Sequence, residues 1–409
     1  MTMQTLDYET LKKAVANDAA LRLNMRLHAA GGPGTKVFPP TYEGGVYAWE
    51  TRRMDGNDIK TVLLDSVQSQ ANRMELALLQ AYKEQKINFP MIQSDFSQFP
   101  EIGMITALEA PHRLADAIFR DSTLDNKKFR ETALGKAFES CNAKEATALF
   151  QYCPTSLLFG SWDSTGKGGG LGNKFQRCIV SEIVAINARG GVLTSSRIDP
   201  LGITNAAKIY DDGNNGWTDK EQLDGQKKPK YFGKEQKRGK PSSINHRYIP
   251  PTIEVAKKNT HLLNIGEEIR GGVTMDYATL TCVISFPGLR RLSFPVKNGP
   301  NITQEAQTTL AAFGLVAMAL QIKQGFDLRS RCLLIPEGEQ KWELISRNGE
   351  IQLFSISPDS AIKLFNESVD HVNRHGFSWQ NEPITLLPTM ELLGIIKTSR
   401  EHEIREEED

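Results

Sequence analysis

Hydrophobic and polar positions alternate strictly in LRLNMRLH, residues 21–28. Leu21, Leu23, Met25 and Leu27 fall on one side and Arg22, Asn24, Arg26 and His28 on the other, which is the pattern of a half-buried strand with a basic open face. The period then changes. In LLDSVQSQANRMELALL, residues 63–79, Val67, Ala71, Met74 and Leu78 recur at helical intervals and predict a helix over 66–85 with one buried stripe. A short strand is expected through 104–108, and Pro111 opens a predicted helix (PHRLADAIFR), where its missing N–H costs nothing. Two helices are expected within 128–152, ended by Pro154. A strand follows over 177–186, with Cys178, Val180, Val184 and Ile186 as its apolar side.

Farther on, Ala278, Leu280, Cys282, Ile284 and Phe286 mark one face of a strand over 275–286. An apolar helix is predicted over 303–324, a strand in DLRSRCLLIP (327–336), regular structure over 342–356 and a helix over 358–374. Stripped of insertions, the order is strand, helix, strand, strand, helix, strand. That order suggests an α+β fold with a ferredoxin-like core, helices on one face of the sheet and the other face open. RNA-recognition modules place nucleic acid on such an open face.

Composition sharpens this picture in three places. The 409 residues hold enough material for more than one domain, and no stretch approaches the roughly 20 apolar residues of a membrane span. The first residues, MTMQTLDYETLKK, contain no apolar signal core, so the expectation is a cytoplasmic protein with no membrane partner. Five scattered cysteines and seven dispersed histidines form no CxxC, HExxH or zinc-ligand spacing. Buried reduced thiols, no metal and no cofactor are expected. The net charge of zero, 49 basic against 49 acidic residues, is unevenly spread. Residues 401–409 hold six acids and one Arg, whereas 227–247 hold eight Lys/Arg and one Glu. This divides the chain into 1–198, a basic insertion at 199–251 that is mobile unless bound, a second ordered part at 252–400, and an acidic tail at 401–409.

Several clusters could carry chemistry. The first turns of the 66–85 helix are crowded with Ser66, Gln68, Ser69, Gln70, Asn72 and Arg73. They read either as a capped, solvated face or as donors placed where a helix N-terminus attracts phosphate. The loop GKGGGLGNKFQR, residues 166–177, fails as a P-loop: Gly160 and Gly166 are one residue too far apart, and Gly168 stands where Ser or Thr belongs. It fails as a dinucleotide loop because position 175 is not Gly. Lys167, Lys174 and Arg177 still give it a basic character, either for an anion or as a solvated connector. His112 and Arg113 begin the predicted 111–120 helix; they could meet an anion, pair locally with Asp116, or, for His112, act as a general base. Arg329 and Arg331 share a strand face in the 327–336 reading, and Arg197 stands beside Asp199. Each could contact RNA or pair with an acid. In the basic insertion, Lys227, Lys228, Lys230, Lys234, Lys237, Arg238, Lys240 and Arg247 interleave with Tyr231, Phe232, His246 and Tyr248, the composition of a nucleic-acid finger.

The sequence resembles the repeated backbone subunit of type I-G (formerly I-U) CRISPR surveillance complexes, in the Cas-seven group of the RAMP superfamily. The matching stretches are KVFPPTYEGG (36–45), LLDSVQSQANRMELALL (63–79), LEAPHRLADAIFRDS (108–122), LLFGSWDSTGKGGGLGNKFQRCIVSEIV (157–184), SSRIDPLGI (195–203) and DLRSRC (327–332). The lysine-rich insertion and the acidic tail match no family signature. The resemblance implies a modified RNA-recognition palm with large insertions forming thumb and finger elements. It implies copies lined head to tail along a CRISPR RNA, together with a large subunit and subunits capping the guide's 5′ and 3′ ends, and no catalysis. On this resemblance Arg22, Arg26, the polar residues of the 66–73 turns, His112, Arg113, Lys167, Lys174, Arg177, Arg197, Arg329 and Arg331 contact the guide. The basic insertion then reaches target DNA or a neighbouring copy. The alternative is a metal-independent ribonuclease that processes precursor RNA, using His112 or His246.

Overall fold

The computed structural model describes residues 4–163, 165, 174–198, 200–203, 208–214, 216–232, 249–254, 271–297 and 299–408. Two compact units make up the chain. The first comprises Met1–Pro40, Ala48–Arg189 and Thr274–Leu393; the second comprises Thr41–Tyr47, Gly190–Val273 and Gly394–Asp409.

A ten-stranded sheet dominates the first unit. Strand β1 (Ala20–Ala29) is followed by the hairpin β2 (Trp49–Met54) and β3 (Asn57–Asp65), then by helix α1 (Val67–Lys83). Strands β4 (Ile179–Ile186) and β5 (Tyr277–Ser285) come next, then helix α2 (Thr303–Gln324). The chain continues through β6 (Phe326–Arg329), β7 (Cys332–Pro336), β8 (Trp342–Ile345), β9 (Ile351–Ser355) and helix α3 (Pro358–Arg374). In space the strands run Gln4–Thr5, β9, β8, β1, β5, β4, β3, β2, and β7 also pairs with β1. The central order β8-β1-β5-β4, with α1 and α2 as crossovers and β5 antiparallel to both neighbours, is the ferredoxin-like arrangement expected from the sequence. Its fourth strand is split: β7 pairs with one end of β1 and β8 with the other.

The alternation in β1 holds. Leu21, Leu23, Met25 and Leu27 are buried, while Asn24, Arg26 and His28 are exposed and Arg22 is half-buried. Helix α2 is apolar around its whole circumference because it is enclosed on all sides, with 18 of its residues buried. It lies so close to the sheet that a Cβ on Gly314 would come within 3.0 Å of Ile284 Cδ1. In β4 the fully buried side is Ile179, Ser181, Ile183 and Ala185, and Val180 is exposed. Of the expected apolar side, Cys178, Val184 and Ile186 are buried as well and only Val180 is exposed, so most of this strand is covered on both faces, and Ser181 turns inward toward a polar partner, Gln70.

Two further expectations fail. The PHRLADAIFR helix is broken into a 3-10 turn (Arg113–Ala115) and a four-residue helix (Ala117–Arg120). Arg113 has φ +52°, and the Asp116 carboxylate starts a new cap by accepting the N–H groups of Ile118 and His112. DLRSRCLLIP is a hairpin, with Arg331 at φ +62° in its turn. Arg329 and Arg331 therefore do not share a strand face.

A second, five-stranded sheet in the same unit runs Gly103–Thr106, Ile92–Phe96, Ile384–Pro388, Ser122–Leu124, Lys127–Lys128. Its core gathers Ile92, Ala107, Phe119, Phe129, Cys153 and Leu386. In the second unit, Leu193–Arg197 pairs with Ile249–Glu254, and Tyr210 stacks on Tyr231 at 5.5 Å. All five cysteines are buried and unpaired, and burial pushes the Cys178 and Cys282 thiols up to about 12. Among the described residues no helix is long and apolar enough to cross a membrane, and no three His, Cys, Asp or Glu side chains are grouped to hold a metal.

Candidate nucleic-acid interface

Strand β3 ends at Asp65, beside a register shift in its pairing with β4. There the Asp65 carboxylate is fully buried. Oδ1 accepts hydrogen bonds from Ser69 Oγ at 2.8 Å and Arg329 Nη2 at 3.3 Å; Oδ2 accepts from Gln70 Nε2 at 2.6 Å and Arg73 Nε at 2.9 Å. Ser66 is the N-cap of α1 and accepts the Ser69 N–H at 3.2 Å. Gln70 is fully buried, and its carbonyl accepts from Ser181 Oγ at 3.0 Å and Gln321 Nε2 at 2.9 Å. The polar opening turns of α1 thus serve first as the donor set of an interior carboxylate. Gln70 is out of reach of any ligand, contrary to the sequence reading.

The same network brings distant residues together. Arg73 Nη2 donates to the Leu328 carbonyl at 2.7 Å, and Arg329 Nη1 to the Phe38 carbonyl at 3.4 Å. Phe38 N–H donates to the Arg331 carbonyl at 3.1 Å, and the Arg331 guanidinium lies over the Phe38 ring at 3.9 Å. Two guanidiniums against one buried carboxylate leave a local excess of positive charge, to which Arg331, held over the Phe38 ring, adds a third cation without an acid of its own among the described residues. Arg73 and Arg329 are each about a quarter exposed, and each spends only part of its donor set inward. Arg331, Gln68 and Asn72 are exposed. The arrangement presents forked cationic donors, held rigidly from behind, beside neutral donors on the first turns of α1. That is a chemistry suited to phosphate and ribose.

The other sequence-selected residues behave differently. Arg22 is bonded to Glu343, its cross-strand partner on β8. Arg26 lies 3.7 Å from Glu337 and covers the Tyr277 ring at 3.8 Å. Arg52, on the same open face, joins Glu182 and Glu50. The open face is therefore charge-balanced rather than basic, because Arg22, Arg26 and Arg52 each meet an acid there.

Arg113 is the clearest correction. It is 11% exposed and forms a bidentate pair with Glu75 of α1 at 2.6 and 2.9 Å, with Glu75 only 2% exposed. Burial raises the Glu75 carboxyl above its ordinary range even against the pull of Arg113. Arg177 donates to the Phe159 carbonyl at 3.2 Å, and burial followed by the neighbouring Arg113 charge lowers its pKa. Arg113 thus ties its turn to Glu75 of α1 and, through the Gly160 carbonyl at 3.4 Å, to the segment that Arg177 holds at Phe159. His112 is exposed, and no long helix starts there to supply an anion site. Lys174 is exposed, with Nζ 5.6 Å from the Trp162 ring.

Lys167, Lys234, Lys237, Arg238, Lys240, Arg247 and His246 lie outside the described residues, as does the Arg197 side chain. Lys227, Lys228 and Lys230 are exposed, and Lys230 pairs with Asp211 at 3.1 Å. Between 208 and 232 the five lysines are matched by five acids, so this part of the insertion carries no net positive charge. Sequence reasoning missed Asp65, Phe38 and Glu75. Asp65 directly precedes the N-cap and is the one acid among the 63–73 residues, and that was the available signal.

Residues 21–190 match the family model of CRISPR-associated protein GSU0053. The matched segment runs from β1 through β4 and includes Asp65 and all of α1, while the β6–β7 hairpin lies beyond it. No curated protein matches the chain.

Proposed function

We propose, from the match of residues 21–190 to the family model of a CRISPR-associated protein, that the chain acts in CRISPR defence as a non-catalytic backbone subunit of a type I-G surveillance complex. It grips the ribose-phosphate chain of a CRISPR RNA, lines up head to tail with further copies, and presents the guide bases for pairing with target DNA. A large subunit and guide-end subunits complete the assembly. One observation carries this reading: the Asp65-centred cluster, in which Arg73, Arg329 and Arg331 converge beside the exposed amides Gln68 and Asn72. Forked cations and neutral donors hold backbone without regard to base identity. Supporting it is the ferredoxin-like sheet with helices on one face, a scaffold that RNA-recognition modules share. Head-to-tail contacts are heterologous, so growth continues until the RNA ends.

Assembly on RNA tests this directly. Purified chain mixed with guide RNAs of increasing length and measured by size-exclusion chromatography with light scattering should gain whole copies as the RNA lengthens. One copy per RNA at every length, or no complex at low salt, contradicts the proposal.

A further inference from the structure

In the first unit a cavity of about 700 Å³ opens between the turns of residues 113–120, the Ala133–Ser140 helix and the short ribbon that pairs Ser161–Trp162 with Lys174–Phe175. That is a size able to take a ligand or a partner's side chains. Its floor is apolar. Phe129, Leu149 and Phe175 are buried, Leu114 and Phe138 are half-buried, and the Phe129 and Phe138 rings meet at 6.0 Å. Its mouth is acidic. Arg130 lies 2.5 Å from Asp163 and 3.7 Å from Glu139, and Arg120 forks onto both oxygens of Asp121 at 2.8 and 2.7 Å. Asp116 also lines the cavity. Among the lining residues and their ion-pair partners, four carboxylates therefore stand against two guanidiniums. Asp116 accepts one backbone N–H at each oxygen, and a carboxylate has about four acceptor sites, so it keeps capacity for a cation.

The second unit carries the complementary chemistry on a tight turn. Leu223 bridges to Pro229, Asp224 N–H donates to the Lys228 carbonyl at 2.8 Å, and Lys227 sits at φ +60°. The Asp224 carboxylate is spent inside the turn, where Oδ1 accepts the N–H groups of Gln226 and Lys228 at 2.8 and 2.9 Å. Lys227 and Lys228 are exposed, and neither forms an ion pair among the described residues. Leu223 beside them is 57% exposed. We propose that this turn of one copy docks in the acid-rimmed cavity of a second copy, with Leu223 on the phenylalanine floor and the two ammonium groups at the carboxylates. Lysine stems suit such a place, since they lie along apolar surface while the charged head stays at the rim. Cavity and turn are different surfaces of one chain, so the contact is heterologous and repeats from copy to copy. The inference deepens the assembly reading above by naming the surfaces that meet, and it assigns this part of the insertion to a neighbouring copy rather than to target DNA.

Sedimentation equilibrium of the concentrated full chain at low salt, without RNA, reads the contact by itself. The native chain should self-associate. The exposed-residue variant Lys227→Glu, Lys228→Glu should associate at least about tenfold more weakly, because like charges then meet, and Glu139→Lys should do the same from the other side. An equimolar mixture of the two variants should recover near-native association, since each turn then finds a cavity of opposite charge. A monomeric native chain, native-like association of the turn variant, or a mixture no better than its components overturns the contact. So does recovery only when all three substitutions share one chain, which would place the turn in its own cavity, and so does a turn variant that associates normally but loses affinity for DNA. Binding of a short oligoribonucleotide is measured alongside. A chain that exchanges partners in this way but binds no RNA overturns only the backbone grip, whereas one that binds RNA without the exchange overturns only the contact.

Discussion

Asp65→Asn should lower the free energy of unfolding by about 3–5 kcal/mol, read from urea or thermal denaturation. The carboxylate is fully buried and receives four hydrogen bonds, two of them from guanidiniums. Asparagine keeps the volume but removes the charge and turns one acceptor into a donor facing other donors. Arg73 and Arg329 would then sit a quarter exposed without a counter-charge, and Gln70 would lose the acceptor of its amide deep in the core. Binding of RNA should weaken as well, since both forks lose the group that orients them. A cost below about 1 kcal/mol would show that solvent and the Leu328 and Phe38 carbonyls suffice to hold the arginines, and that Asp65 is not the organising group.

Arg113→Ala should be comparably damaging, costing about 3–5 kcal/mol, because it strands Glu75 at 2% exposure with no partner cation in bonding distance. The loss should depend on pH with a defined sign. Burial already raises the Glu75 carboxyl in the folded protein. Removing the cation raises it further. A carboxyl whose folded value lies above its unfolded value favours the folded state most below the unfolded value, and that contribution is lost as pH rises through the folded value. The deficit of Arg113→Ala should therefore be smallest in acid and grow toward neutrality. The companion Glu75→Gln, Arg113→Ala pair should remove most of that slope. A pH-independent deficit would mean that Arg113 matters through packing on Phe159, whose ring lies 5.7 Å away, rather than through charge.

The elements legible in the sequence were those whose pattern reports burial on one face. The strict alternation of β1 and the apolar positions of β5 are direct images of a sheet with helices on one side, and α2 and α3 end where their apolar runs end. The candidate site was legible only in part. Ser66, Ser69 and Arg73 were recognised as belonging together because they share one helix end. Arg329 and Arg331 were singled out as well, but not in their true setting. Their partners lie more than half the chain away in sequence: Arg329 meets Asp65 across 264 positions, and Arg73 meets Leu328 across 255. No local period records such a pairing. The open face misled for the same reason. Arg22 reads as a free cation until β8 brings Glu343 opposite to it, 321 positions later. The 111–120 helix failed through a local conflict instead. Asp116 makes a better cap than a helix interior, and the bidentate contact with Glu75 holds Arg113 at a left-handed φ.

The central claim is that Arg73, Arg329 and Arg331 grip the phosphate chain of RNA. Its most direct test is the salt dependence of affinity for a mixed-sequence oligoribonucleotide, compared between the native chain and the double variant Arg329→Ala, Arg331→Ala. Two lost phosphate contacts should lower the log–log slope by about 1.4, as expected for a single strand, and weaken binding to every sequence alike. An unchanged slope, or a loss confined to particular sequences, would contradict it.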